Sequence, residues 1–198
     1  MKKSKIHIRT IVSLASLSAI SVILTFFEFN LPFMPSFLKL DFSDFPSLLA
    51  AFTFGPAAGV GVQFIKNAID ALKSSSGGIG QIANFAIGGS MALSAGLIYK
   101  KYHTIRGALV SLIAGTLIMS LAACVMNYFV LFPLYSAFMP LEAIIESAAK
   151  FTPVIKTKLD VMIFTIFPFN LIKGTVISVI TFLVYKRLRP FLKKAESQ

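Results

Sequence analysis

An asparagine and a lysine interrupt the last long apolar stretch of the chain, in the segment FPFNLIKG. Asn170 and Lys173 are three residues apart, so a helix places them on one face. Polar groups inside a membrane are costly, and they usually face a cavity or another helix. An amide both donates and accepts hydrogen bonds, whereas an ammonium group only donates them. The pair therefore indicates a binding face for a polar ligand.

Other apolar stretches carry similar groups at a comparable depth. Asn127 and Asn84 lie near the ends of two long apolar runs, and Lys66 and Asn67 lie in the outer part of another. The segment KLDFSD adds Lys39, Asp41 and Asp44. Together these residues predict a polar-lined pocket that is open to one side of the membrane.

Each of these groups also has a purely structural interpretation. An asparagine can hold two membrane helices together, at an average of about 0.6 kcal/mol. Lys66 can extend to the membrane surface and pair with Asp70 one turn later, which is the interpretation that we favour for it. Lys173 has no acidic residue three or four positions away, so we expect it to contact a ligand or a pocket partner.

The sequence lacks the signatures of common enzymes. It has no phosphate-binding loop of the G-x-x-x-x-G-K-[ST] type and no G-x-S-x-G motif. His7 and His103 lie in basic segments, and Cys124 is the single cysteine, so no metal or disulfide framework is expected. We expect a protein that is not an enzyme and has no cofactor. None of the eight acidic residues is expected at mid-membrane, which argues against an ion-coupled carrier.

Composition places these groups in a membrane. Of 198 residues, 56% are hydrophobic and 14% are charged, against about 25% charged in soluble domains. The net charge of +11 is concentrated in basic clusters at 2–9, 100–106 and 186–194, which flank apolar stretches. This distribution follows the positive-inside rule and leaves no basic surface for nucleic acid.

The apolar stretches and the basic clusters together predict an all-α integral membrane protein in a single domain. Placing all three clusters in the cytoplasm requires six transmembrane helices with cytoplasmic N- and C-termini, and Gly55-Pro56 must then break one long apolar stretch into two helices. The loops at 28–39 and 132–159 become extracellular and lid-like, and 140–150 is expected to form an amphipathic helix. The expected helices are 8–27, 40–54, 56–72, 81–99, 106–131 and 160–187.

The first helix carries a different pattern. Ala15 and Ala19 are four residues apart, with serines nearby. Small residues at this spacing let two membrane helices approach closely. From the spacing alone, internal packing and contact with a partner protein are equally good interpretations.

Four segments carry a family resemblance: FLKLDFSDFPSLLAAFTFGPAAGVGVQFIKN, IANFAIGG, NYFVLFPLY and FPFNLIKG. They resemble the riboflavin-specific substrate-binding (S) component of energy-coupling-factor (ECF) vitamin transporters, over most of the chain. The resemblance implies a multi-pass protein of the bacterial plasma membrane with six helices, which binds its vitamin on the outer side. It also implies a partner module, made of a transmembrane coupling protein and two cytoplasmic ATPases, because such S components have no ATPase activity.

The resemblance also implies a site. It assigns riboflavin, the transported ligand, to Asn127, Asn170 and Lys173, with Asn84 and the loop Lys39–Asp41 as weaker candidates. Ala15 and Ala19 match the face that contacts the coupling protein. Apolar side chains such as Leu40, Phe42 and Tyr128 are expected to sandwich the flavin ring, and FMN is a conceivable second ligand. An S component for another vitamin, or a stand-alone channel or secondary transporter, are the alternatives.

Overall fold

The computed structural model describes residues 8–35, 37–74, 77–136 and 140–196, which form a bundle of helices with one short hairpin. Two helices continue through a π-helical segment, at Asn127–Leu131 after α5 and at Met162–Ile166 before α9. The hairpin pairs β1, Phe29–Asn30, with β2, Lys39–Leu40, in antiparallel fashion. The helices are α1 Ile8–Leu24, α2 Phe45–Phe54, α3 Pro56–Ala71, α4 Ile79–Lys101, α5 Ile105–Met126, α6 Phe132–Tyr135, α7 Leu141–Ala149, α8 Lys158–Val161 and α9 Phe167–Glu196.

The expected break at Gly55-Pro56 is confirmed. Gly55 separates α2 from α3 with φ of 98°, a conformation that glycine adopts without steric cost, and Pro56 begins α3. The start of α2 differs from the expected one: α2 begins at Phe45 and not at residue 40. The reason is that Lys39 and Leu40 pair with β1, so the chain reaches α2 through a turn. The hairpin is also a departure from a wholly α-helical fold.

The helices pack in a continuous arrangement around α4 and α5. α4 lies between α3 and α5, α5 packs against α9, and α1 packs against α2 and α3. Glycines allow the closest approaches: a Cβ on Gly59 would lie 2.6 Å from the Cβ of Ala51, and one on Gly96 would lie 2.8 Å from the Cα of Pro56. Side chains larger than hydrogen at these two positions would therefore push α2, α3 and α4 apart.

Both π-helical segments precede a proline in the same sequence pattern. The chain reads FVLFP at 129–133 and FTIFP at 164–168. A proline has no N–H for the carbonyl four residues earlier, and its ring crowds that carbonyl in a regular helix. The wider turn of the π-helix lies where this conflict would occur, so the helix continues past Pro133 and Pro168.

Three helical stretches of the described chain are long and apolar enough to cross a membrane: Ile79–Lys101, Ile105–Tyr135 and Lys158–Arg187. α1 and α2 are apolar but shorter. With ten residues, α2 extends only about 15 Å along its axis, half the thickness of a bilayer core. The amphipathic helix expected within 140–150 is confirmed as α7, with Ile144 and Ala148 buried.

Candidate ligand-binding site

A cavity of about 800 Å³ opens at the end of the bundle that carries the hairpin and α7. This volume is within the range of pockets that bind small organic ligands, roughly 300–1,000 Å³. Its wall is formed by the hairpin region, α3, α4, α5 with its π-helical segment, α6, α7 and α9. The polar lining residues are Glu28, Lys39, Asp41, Asp70, Gln81, Asn84, Asn127, Ser147, Asn170 and Lys173.

Two amides line the cavity from neighbouring helices in the same way. The Asn127 side chain donates to the carbonyl of Ala123 at 2.8 Å, and the Asn170 side chain donates to the carbonyl of Ile166 at 2.9 Å. Each bond uses one of the two amide hydrogens, so the other hydrogen and the amide oxygen are available for a ligand. Asn127 is also the first residue of its π-helical segment, a feature that is frequent at functional sites.

Lys173 is held by two carboxylates at the base of the cavity. Its ammonium lies 2.8 Å from Oδ2 of Asp41 and 3.2 Å from Oδ2 of Asp44. Asp41 also accepts hydrogen bonds from the backbone N–H and the hydroxyl of Ser43. The sequence indicated a pocket partner for Lys173 but could not identify it, because Asp41 is 132 positions away.

The interpretation of Lys66 as a surface lysine paired with Asp70 is wrong. Its side chain is 0% exposed, and its ammonium lies 2.6 Å from Oδ1 of Asp44. Asp70 instead pairs with Lys73 at 3.1 Å. The side chain of Lys66 points into the bundle because α3 packs against the turn that contains Asp44, where a carboxylate is already buried.

These residues form one connected group, which we call the charge cluster: Asp41, Asp44, Lys66 and Lys173. Its two ammonium groups and two carboxylates balance. Gln63 donates to Oδ1 of Asp44 at 2.7 Å, and the hydroxyl of Ser21 on α1 donates to the carbonyl of Ser43 beside the cluster. The charge cluster thus connects α3, α9 and the turn before α2, and the Ser21 hydrogen bond joins α1 to the same turn.

The rim of the cavity carries two further ion pairs. Lys39 of β2 pairs with Glu28, and both side chains are about half exposed. On the other side, Asp70 accepts from Gln81 at 3.0 Å and pairs with Lys73. Both lysines among the described lining residues, Lys39 and Lys173, are therefore already paired with carboxylates.

Three of the apolar residues expected around a ligand do not line the cavity. Leu40 of β2 is buried, the Phe42 ring packs against that of Phe29, and the Tyr128 ring lies 4.0 Å from the Lys158 ammonium. Sequence reasoning missed the aromatic side chains that do line it. These are Phe37, Phe132, Tyr135 and Phe169. Phe132 directly precedes Pro133 and Phe169 directly follows Pro168, so a phenylalanine next to each helix proline was the available signal.

Ala15 and Ala19 lie on the exposed face of α1, away from the cavity. In the described part of the chain, no group of three His, Cys, Asp or Glu side chains could hold a metal ion. The site is therefore built from amides, paired charges and aromatic rings, which suits reversible binding of a polar aromatic molecule.

Comparison with known proteins gives a consistent family. The family model "ECF transporter, substrate-specific component" matches residues 9–185. The riboflavin transporter RibU of Staphylococcus aureus (strain TCH60) is 42% identical over 187 residues, covering 94% of this chain and 93% of the relative. The riboflavin transporter FmnP of Bacillus subtilis (strain 168) is 34% identical over 193 residues, covering 96% and 97%. A solved S component of a bacterial ECF transporter superposes with a TM-score of 0.74 at 42% identity, covering 93% of this chain and 98% of that one.

Proposed function

The chain belongs to the family of ECF transporter substrate-specific components, and we propose that it is the riboflavin-binding subunit of an ATP-driven vitamin uptake system. It binds the vitamin and has no ATPase activity of its own. The observation that carries this proposal is the cavity with amides on α4, on the π-helical segment after α5 and on α9, next to the charge cluster. Relatives named as riboflavin transporters, with matching lengths, support the choice of vitamin.

The chemistry of a flavin fits this lining. Its ring is a flat aromatic with an edge of carbonyl and N–H groups, and its ribityl chain carries hydroxyls. Asn127 and Asn170 each have an amide oxygen and a hydrogen left over, so they can match either part. Phe132, Tyr135 and Phe169 offer aromatic surface for the ring. Lys173 can donate to a carbonyl or a hydroxyl while it stays next to Asp41.

The paired charges favour a neutral ligand. A phosphate group would need an unpaired ammonium nearby, and both described lysines in the lining are paired with carboxylates. Three carboxylates, those of Glu28, Asp41 and Asp70, also face the cavity. FMN is therefore a second ligand of lower affinity in this proposal.

The membrane arrangement follows from the same proposal. The chain crosses the bacterial plasma membrane six times with both ends in the cytoplasm, and the cavity opens to the outside. The hairpin region and α7 act as its lid. α1 presents Ala15 and Ala19 to a transmembrane coupling protein, which joins the chain to two cytoplasmic ATPases. The exposure of this small-residue face supports that role.

The absorbance spectrum of the detergent-solubilised protein tests the ligand. We expect a yellow preparation with flavin bands at nearly one flavin per chain, or stoichiometric quenching of added riboflavin fluorescence by a colourless preparation. A preparation that shows neither would contradict the flavin assignment. If a different heterocycle co-purified, the chain would be an S component for another vitamin. Uptake by cells that lack the ATPases would favour a stand-alone secondary transporter.

Replacing the amides tests the site itself. We expect Asn127→Ala and Asn170→Ala each to weaken riboflavin binding at least about tenfold, or roughly 1.4 kcal/mol. The reason is that riboflavin gives up hydrogen bonds to water when it binds, and each variant lacks the amide that would replace them. Fluorescence titration measures the affinity. Thr175→Ala on α9 is the matched control, because its exposed hydroxyl also bonds to the carbonyl four residues earlier but does not line the cavity. Unchanged affinity in both asparagine variants would place the ligand elsewhere.

A further inference from the structure

The innermost half of the charge cluster has no direct access to the cavity. Lys66 and Asp44 are 0% and 1% exposed, and neither belongs to the cavity lining, whereas Asp41 and Lys173 do. A buried ion pair adds little net stability, because desolvation of the two charges offsets their attraction. Stability alone is thus a weak reason for a lysine and an aspartate to be buried beneath a binding site.

The geometry gives Asp44 a specific position between two ammonium groups. Its Oδ1 faces Lys66 at 2.6 Å, and its Oδ2 faces Lys173 at 3.2 Å. Lys173 is closer to Asp41, at 2.8 Å. The charges therefore alternate in sign from one contact to the next, in the order Lys66, Asp44, Lys173 and Asp41. Lys66 and Gln63 both bond to Oδ1, so Asp44 contacts Lys173 only through Oδ2. This contact does not draw the Lys173 ammonium away from the cavity.

We infer that Lys66 is a positioning residue for riboflavin, which acts through Asp44 to keep the Lys173 ammonium at the base of the cavity. This inference rests on the proposed function. Lys66 balances the charge of Asp44, so that Lys173 stays shared with Asp41 at the surface of the cavity. Without Lys66, the unbalanced carboxylate of Asp44 draws the ammonium downward, and Asp41 is left facing the ligand as an unpaired anion.

Charge-balanced substitutions test the inference. The Lys66→Met variant is expected to bind riboflavin at least about tenfold more weakly. The double variant Lys66→Met/Asp44→Asn removes one charge of each sign and leaves Lys173 paired with Asp41. We expect it to recover affinity to within about threefold of the original protein. Affinity is measured by quenching of riboflavin fluorescence, and the melting temperature of the ligand-free protein is measured in parallel.

The controls separate positioning from simple stabilisation. Lys100→Met removes an exposed lysine that does not line the cavity. We expect it to change neither the riboflavin affinity nor the melting temperature. If Lys66→Met lowers the melting temperature but binds riboflavin with unchanged affinity, the pair only stabilises the fold, and the inference is overturned. A double variant that binds as weakly as Lys66→Met overturns it too. Absence of riboflavin binding by the original protein would instead reject the proposed function, and the inference with it.

Discussion

Replacement of Lys173 by methionine is expected to abolish high-affinity riboflavin binding and to destabilise the protein. The substitution leaves Asp41 and Asp44 with one ammonium, that of Lys66, for two buried carboxylates. Removal of one partner from a buried ion pair typically costs about 3–5 kcal/mol, because the remaining charge is left without compensation. In the proposed site, the ligand also loses a hydrogen-bond donor. Fluorescence titration and thermal unfolding of the purified variant measure the two effects.

A second substitution, added to the first, separates the loss of stability from the loss of riboflavin binding. In Lys173→Met/Asp41→Asn the remaining pair of Lys66 and Asp44 is balanced, so we expect the melting temperature to return most of the way to that of the original protein. Riboflavin binding should stay weak, because both groups at the base of the cavity have changed. Recovery of binding together with stability would show that Lys173 supports the fold and does not contact the vitamin.

Replacement of Ala15 by tryptophan is expected to block uptake while leaving riboflavin binding intact. Ala15 lies on the exposed face of α1, and it does not line the cavity. Helices that associate through small residues approach so closely that an indole ring prevents the contact. Transport of labelled riboflavin by cells that express the whole module should fall to the level of cells without the ATPases. The purified variant should bind with an affinity within about threefold of the original.

Leu121→Trp is the matched control for this prediction. Leu121 is exposed on α5, which packs against α4 and α9, whereas α1 packs against α2 and α3. An added indole there should leave both uptake and binding unchanged. Loss of binding in Ala15→Trp would show that α1 is part of the internal packing of the protein. Normal uptake by that variant would place the coupling interface on another surface.

The sequence allowed much of the helical arrangement to be predicted because the signals were local. Gly55-Pro56 identified the boundary between α2 and α3, and the apolar runs identified the long helices. Asn84, Asn127, Asn170 and Lys173 were singled out as polar groups in apolar surroundings, and the structure brings all four to one cavity. Whether they contact riboflavin is still a prediction.

The parts that sequence reasoning missed depend on long-range contacts. Lys66 has Asp70 one turn away, so a local rule paired them, but its partner is Asp44, which α3 meets only when it packs against the turn before α2. The hairpin could not be inferred from two-residue strands. Leu40, Phe42 and Tyr128 were chosen for their apolar character, and which way they point depends on neighbours that no local pattern identifies.

The small number of contacts that hold the hairpin affects how fast a ligand is expected to enter and leave the cavity. Each strand has two residues, and the Lys39–Glu28 pair beside them has side chains that are 50% and 44% exposed. Exposed pairs of this kind contribute about 0–1 kcal/mol. In the lid role that we propose for the hairpin region, opening it breaks these weak contacts and exposes Leu40, the buried residue of β2. We therefore expect riboflavin to enter the cavity quickly. In the proposed site, the residence time of the ligand depends on the amides, the aromatic rings and the charge cluster. We therefore expect differences in affinity among variants of these residues to arise mainly in the dissociation rate.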